Sequence, residues 1–501
     1  MNTINNALLA ASESTGFSID KINFVFCMLL CLPLGLLFRL VLHPSKVSPT
    51  TRRVTGLAWG VALAVFCFGW ETLILAGLSV ICYIVTAVVN PTVVHRFVFI
   101  TAMGTLSVSH LYRQIKNYGV HAVDFSGPLM LIVQRVTYIA YNLQDGLTTE
   151  KSNLTDKQKR EALRRVPSVL EYFSYIFHYS TILAGPVCTF KQFNEFIDGS
   201  DIKQKVVGRA FSFRPGASEP SSVVDVIKKL SSAFLCVLIL FLTGHDHPIS
   251  RNADPQFIST QLFYRRVIYG WIGALTARLR YYFAFKVSEA VNNMCGLGFN
   301  GFDANGKAKW DGITNVNILK VEFATNIKMA CDNWNISTAL WLRRIVYERC
   351  SRHRTLAVFI MSSVWHGFYP GYYMMFLSLA LFIEAARMAS RSFSCSPTST
   401  RASQCIRTKP LGTGTFIFYH LFFQGRRVIR PYFQETRALV LMYDVITCIL
   451  TAVSVSASAL PFMLLQLRKS LDYWSTQLLH NLGSSRDDDG DGDGDENGKN
   501  R

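Results

Sequence analysis

Two polar side chains stand where a lipid-facing helix would carry none. Asn335 sits in NWNISTALWLRRIVYERC (Asn333–Cys350), and His366 in SRHRTLAVFIMSSVWHGFYPGYYMMF (Ser351–Phe376). Between them lies a basic patch: Arg343, Arg344, Arg349, Arg352, His353 and Arg354. An ionisable residue within an apolar segment is costly, so it marks a functional site by default. A neutral imidazole takes a proton from a hydroxyl, general-base help worth about 10²–10⁴ in rate. A carboxamide N–H donates to a developing oxyanion, worth about 10²–10³, or holds a substrate in place. A His with an Asn, lacking both a matching acid and a nucleophilic Ser motif, suits direct acyl transfer. The acceptor hydroxyl would attack an already activated thioester, and no acyl-enzyme would form.

Spacing limits how such a site is built. On one straight helix Asn335 and His366 would lie about 46 Å apart at 1.5 Å per residue, more than the roughly 30 Å hydrocarbon core of a bilayer. The Arg-rich segment therefore belongs at an interface, where the chain turns back. His366 then lies about 18 Å beyond Arg354, near mid-membrane. Asn335 lies about 12 Å before Arg343, a similar depth if that arm also dips inward. Ser362 and Ser363 share the helical face of His366, and Gly367, Pro370 and Gly371 break the helix just after it. Broken backbone within a membrane is tolerated where it lines a water-filled or protein-buried space. The alternative is a histidine that only packs helices together.

The elements that must position these residues are helices. The chain has 501 residues, 50% of them hydrophobic and 17% charged. Apolar runs cover Ile22–Leu42, Thr55–Trp70, Thr72–Val89, Val93–Leu111, Phe125–Leu143, Leu170–Val187, Leu230–Thr243, Phe263–Val287, Thr355–Ala386, Gly412–Phe423 and Ala438–Leu467. Continuous rather than alternating runs argue against a barrel. They predict an all-α polytopic membrane protein of roughly ten to twelve transmembrane or re-entrant helices. The first run reads as a signal anchor, being longer than a cleavable leader's apolar core of roughly 7–15 residues. The net charge of +18 sits mainly in loops. It points to anionic headgroups and positive-inside placement rather than nucleic acid. Arg39, Lys46, Arg52 and Arg53 favour a cytoplasmic first loop. The twelve cysteines show no spacing suited to zinc, so no metal is expected.

Residues 1–21 read as a polar N-terminal segment, 22–470 as the multi-span domain with its catalytic segment at 263–384, 387–411 as a basic Ser/Thr-rich loop, and 484–501 as a disordered acidic tail. Asp124 or Ser126 caps a helix with Pro128 in its first turn. In Gln144–Val166, DKQKREALRR suggests a surface helix, but the segment reads rather as a solvated loop. His178 reads as a core residue of the Leu170–Val187 run, whose helix Pro186 should end or bend. His245-Asp246-His247 lacks a third metal ligand nearby. Of two sequons, Asn335 and Asn153, the second is the more accessible. Arg278, Arg280, Tyr281 and Tyr282 lie on one helical run. They mark an interface belt or bind a phosphorylated ligand, since guanidinium forks match phosphate oxygens. Lys320, Lys328, Arg343 and Arg344 are candidates for the phosphates of coenzyme A at the cytosolic mouth.

WNISTALWLRRIVYER and SSVWHGFYPGYYMMF resemble the two characteristic motifs of the membrane-bound O-acyltransferases, in their lysophospholipid acyltransferase branch. RLRYYFAFKVSEAVNNMCGLGFNG, directly upstream, resembles a third. The similarity is close over Phe263–Glu384 and weaker over Phe125–Ile197. It implies His366 as the catalytic histidine, Asn335 as its paired asparagine, and a multi-span fold around a central reaction chamber, in the endoplasmic reticulum. It also implies acyl-CoA as co-substrate, a lysophospholipid as acceptor, and a place in phospholipid remodelling. Arg278, Arg280, Tyr281, Tyr282, Trp334, Ser362, Trp365 and Tyr369 are its candidate substrate-binding residues. DNWNISTALWL with GFNGFDANGKAKWDGI is most similar to the lysophosphatidylserine and lysophosphatidylethanolamine acyltransferases that prefer oleoyl-type donors. Phe285 stands where the family often has Trp, and Arg280 where it often has Lys. Competing readings are a related enzyme with a sterol, diacylglycerol or protein acceptor, and a transporter. Transporters carry paired broken helices in both halves, and only one such break is evident.

Overall fold

The computed structural model describes residues 2–119, 123–148, 154–200, 220–244, 247–393, 437–465 and 470. Among these the chain consists of helices and connecting turns, with one isolated antiparallel bridge between Phe302 and Ala308. The architecture is all-α and multi-span, as the continuous apolar runs predict. Helix α1 (Asn2–Thr15) precedes α2 (Ile19–Leu40), α3 (Pro49–Phe68), α4 (Thr72–Val88), α5 (Val94–Lys116) and α6 (Ser126–Leu147). Three shorter helices follow: α7 (Asp156–Glu161), α8 (Val169–Ile176) and α9 (Phe190–Asp198). Next come α10 (Val223–Thr243), α11 (Pro255–Thr260) and the long α12 (Phe263–Cys295). The motif region folds as α13 (Ile318–Glu322), α14 (Ile327–Asn333), α15 (Ile336–Leu342), α16 (Arg354–His366) and α17 (Pro370–Phe393). Helix α18 spans Arg437–Leu464.

Local chemistry explains most boundaries. Pro49 occupies the first turn of α3, where its missing N–H costs nothing, and Ser48 accepts from Thr51 N–H. Thr155 with Gln158, and Ser168 with Glu171, form reciprocal capping boxes at α7 and α8. Asp124 accepts from Ser126 N–H at the start of α6. The α16–α17 break falls at Gly367, whose φ of +122° suits glycine alone.

Several expectations need correction. Four stretches among the described residues combine the length and apolarity of a span: α2, Pro49–Val88, α10 and Asp444–Leu464. Helices α5, α6, α12 and α17 have 22 to 33 residues. Two of them, α6 and α12, spend a face on polar groups paired inside the protein. The Leu170–Val187 run is a short helix followed by a buried loop, because α8 ends at Ile176, well before Pro186. A buried loop and a membrane span are equally apolar. Gln144–Val166 contains the capped helix α7, and Leu163 N–H donates to Asn142 C=O, tying the segment to α6. Helix α17 carries the chain to Phe393, so the basic loop cannot begin at 387. Residues 394–411 of that loop, the Gly412–Phe423 run, His245, Asp246, Asn153 and the acidic tail lie outside the described residues.

Helix α12 packs against α2, α10 and α18, while α5 pairs with α6 and α17 with both α16 and α18. Helix α3 backs directly onto the loop after α8. Tyr179 N–H donates to Gly56 C=O, and His178 is fully buried between the rings of Phe38 and Phe193. A Cβ on Gly60 would lie 1.6 Å from the Phe177 carbonyl oxygen. No side-chain rotation relieves a clash with backbone. Gly60→Ala should therefore cost more than the about 1–3 kcal/mol typical of overpacking. A lowered melting temperature of the detergent-extracted protein is the expected reading, and an unchanged one would contradict this contact.

Candidate active site

One face of α6 holds both motif arms. Met130, Gln134, Thr137 and Tyr141 recur at helical spacing and so share that face. Gln134 Nε2 donates to Thr338 Oγ1 of α15 at 3.0 Å, and one turn on the Trp341 indole N–H donates to Thr137 Oγ1 at 2.9 Å. From the other arm, the Trp365 indole N–H donates to Met130 C=O at 3.2 Å. The two indoles meet at 5.7 Å between centroids. At the far end of α6 the connecting turn is locked by charge. Buried Arg344 donates to Asn142 Oδ1 and faces Asp145, Glu161 and Glu348, while Arg349 reaches Asp145 at 2.8 Å and covers the Tyr141 ring. The arms thus run oppositely along α6, joined by a turn that includes a π-helical segment, Arg343–Tyr347.

This register places the two candidate residues. Asn335 precedes Thr338 by three positions, and Gln134 follows Met130 by four. Asn335 and His366 therefore sit at the same level of α6, within about one helical turn, roughly 5 Å. His366 ends α16 half-buried among aromatic rings: Trp365, Tyr372, Phe376, which stacks on it at 5.1 Å, and Phe462 of α18. Among the described residues no hydrogen bond engages its imidazole. His110 of α5 donates from Nε2 to the Trp365 carbonyl at 3.1 Å. Asn335 occupies the N-cap of α15 with φ 45° and ψ 58°, yet its side chain makes no capping bond.

The remaining candidates fall into two groups. Trp365 and Tyr369 accompany His366, and Gly119 N–H donates to the Tyr369 hydroxyl. Ser362 is buried on the same helix. Trp334 accompanies Asn335 and packs edge-on against Tyr281, Tyr282 and Phe285 at 5.5 to 5.9 Å. Arg278 does not present an open fork for a phosphate. Its Nε and Nη2 both donate to Glu322 at 2.8 Å, and the Tyr282 hydroxyl donates to the same carboxylate. Arg344 is likewise withdrawn from the set proposed for coenzyme A, being buried in its own acidic cluster. Lys328 pairs with Asp332 and Arg343 with Glu348; Lys320, Arg280 and Tyr281 are exposed. Glu322 was missed because a carboxylate in a stretch of mixed polar and apolar residues carries no signal. Glu289, fully buried in α12, was detectable as an acid in an apolar helix by the rule that singled out His366.

The fold and the paired motif arms define a class. The model of MBOAT, the membrane-bound O-acyltransferase family, matches residues 49–428, and the chain belongs to this family of acyl-transferring membrane enzymes. Over 477 residues it is 38% identical to human "Membrane-bound glycerophospholipid O-acyltransferase 2", covering 94% of this chain and 85% of that protein. It is 37% identical over 464 residues to "Lysophospholipid acyltransferase 6" of Drosophila melanogaster, covering 92% of this chain but 59% of the fly protein. The "Lysophospholipid acyltransferase" of Schizosaccharomyces pombe is 29% identical over 483 residues, 92% of this chain and 84% of that one.

Gly367 bears on the geometry next to His366. Its backbone lies in a region L residues rarely adopt, and an added Cβ would meet His110 Cγ at 3.3 Å. Gly367→Ala should lower acyl transfer at least about tenfold, since a misplacement of about 1 Å can cost 10²-fold. Transfer rates in microsomes, normalised to folded protein, check this; wild-type rates would show that the turn does not position His366.

Proposed function

We propose that the protein is a lysophospholipid O-acyltransferase that moves a fatty acyl chain from acyl-CoA to the free hydroxyl of a lysophospholipid in the endoplasmic reticulum membrane. The observation that carries this reading is the placement of His366 and Asn335 at one level of α6, on arms held by the same helix face, with no hydrogen bond to either side chain among the described residues. Neutral His366 accepts the proton of the acceptor hydroxyl as its oxygen attacks the thioester carbon. Asn335 donates an N–H to the oxyanion, or holds the acyl donor. Collapse of the tetrahedral species breaks the C–S bond, and the imidazolium returns its proton to the departing thiolate. The new ester and free coenzyme A leave the histidine neutral again.

The relatives' names support a glycerophospholipid acceptor. Resemblance of DNWNISTALWL and GFNGFDANGKAKWDGI to one branch supports lysophosphatidylserine or lysophosphatidylethanolamine, with an oleoyl-type donor. Among the described candidates, exposed Lys320 and Arg280 make no ion pair and are the cations left to meet phosphates.

His366→Ala should abolish transfer, a loss of at least about 10²–10⁴, without loss of folded protein. Asn335→Ala should cost about 10²–10³. The assay offers microsomes a panel of lysophospholipids, with a sterol and diacylglycerol as controls, and saturated and unsaturated acyl-CoA donors. Equal turnover by wild type and His366→Ala would overturn the reaction, and transfer confined to a non-phospholipid acceptor would overturn the substrate class.

A further inference from the structure

Asn335 stands at a helix N-cap, where an asparagine ordinarily folds its side chain back onto the first free amides of its own helix. Here it does not. The first two of those amides, of Ile336 and Ser337, are taken by another residue, Asn315, twenty positions earlier. The Asn315 carbonyl accepts from Ile336 N–H at 2.8 Å. Its side-chain Oδ1 accepts from Ser337 N–H at 3.0 Å and from the Ser337 hydroxyl at 2.8 Å. Just beyond, Asn317 N–H donates to Asn333 C=O at 3.1 Å, so residues 315–317 bracket Asn335 from both sides.

The bracket is itself anchored. Glu289 of α12 accepts through one oxygen from Asn315 N–H at 2.8 Å and Val316 N–H at 3.0 Å. Its other oxygen faces Lys286 at 2.9 Å and Lys229 at 3.3 Å. Lys286 also donates to Val316 C=O at 2.6 Å. Glu289 and Val316 are fully buried, and Asn315 nearly so. In such a setting satisfied polar networks are rigid, and a lost member leaves its partners unpaired.

We propose that Asn315, held by Glu289, caps α15 in place of Asn335 and thereby frees the Asn335 carboxamide to face substrate. Asn315 is a positioning residue, acting only through Asn335, and the inference rests on the catalytic role proposed for Asn335. Without the Asn315 side chain, Ser337 N–H lacks its acceptor. As the N-cap side chain of the same helix, the Asn335 carboxamide is then the acceptor in line to replace it, turning inward and leaving the site.

The test measures kcat and KM of the full-length protein in microsomes, with oleoyl-CoA and a mixture of lysophosphatidylserine and lysophosphatidylethanolamine. Asn315→Ala should lower kcat at least about tenfold, by no more than Asn335→Ala does, with little change in KM. Asn315→Asp keeps the acceptor and should restore kcat close to wild type, which a general packing defect would not allow. The double variant should be no slower than Asn335→Ala alone, since residues acting as a unit are not additive. An Asp variant that folds yet is as slow as Ala, wild-type kcat in Asn315→Ala, or a double variant showing the product of both losses would each overturn the proposal. If Ala does not fold, the Asp variant and its double with Asn335→Ala decide. Failure of the underlying role is separately visible, because Asn335→Ala alone would then turn over normally.

Discussion

Polar groups within a bilayer have no water to fall back on, and α6 is where this chain meets that constraint. Its buried face offers a carbonyl, an amide, a hydroxyl, another amide and a carboxylate, from Met130 to Asp145. Each is met by a residue of the two motif arms. The apolar remainder of the arms would accept many registers along a greasy helix, because dispersion and lipid exclusion are not directional. The hydrogen bonds admit one. The relative placement of Asn335 and His366 is therefore a property of α6, a helix that contributes neither.

The same constraint separates two kinds of cation. Arg344 and Arg278 are closed into buried carboxylate clusters, where the guanidinium is structural. Breaking such a pair by removing one partner costs about 3–5 kcal/mol, because the remaining charge is stranded. Cations free to meet a substrate are those at the surface. The helix around His366 follows the complementary rule: its ring is walled by aromatics, which exclude water without competing for its nitrogens.

As polar residues without a structural partner His366 and Asn335 stood out in the sequence, because such a residue in an apolar run is conspicuous, and Gly367 with Pro370 showed the break. Helix rise alone brought the two to similar depth. What could not be read were pairings between distant segments. Nothing local distinguishes Arg344, two hundred positions from its partner Asn142, from a solvent-facing arginine. The run at Leu170–Val187 looked like a span since burial in protein and burial in lipid select the same side chains. Asn315 looked like any turn asparagine, and its relation to Ser337 exists only once both segments are folded.

The Phe462 ring against His366, and the Pro461 carbonyl against which Gly371 is pressed, have a consequence for biogenesis. Both belong to α18, which the ribosome delivers nearly a hundred residues after the histidine. During synthesis, helices α2 to α17 can enter the membrane and pair while one wall of the imidazole's surroundings is still in the exit tunnel. The nascent protein thus carries both motifs before the Phe462 side of the imidazole's surroundings exists, and that wall is completed only as α18 inserts.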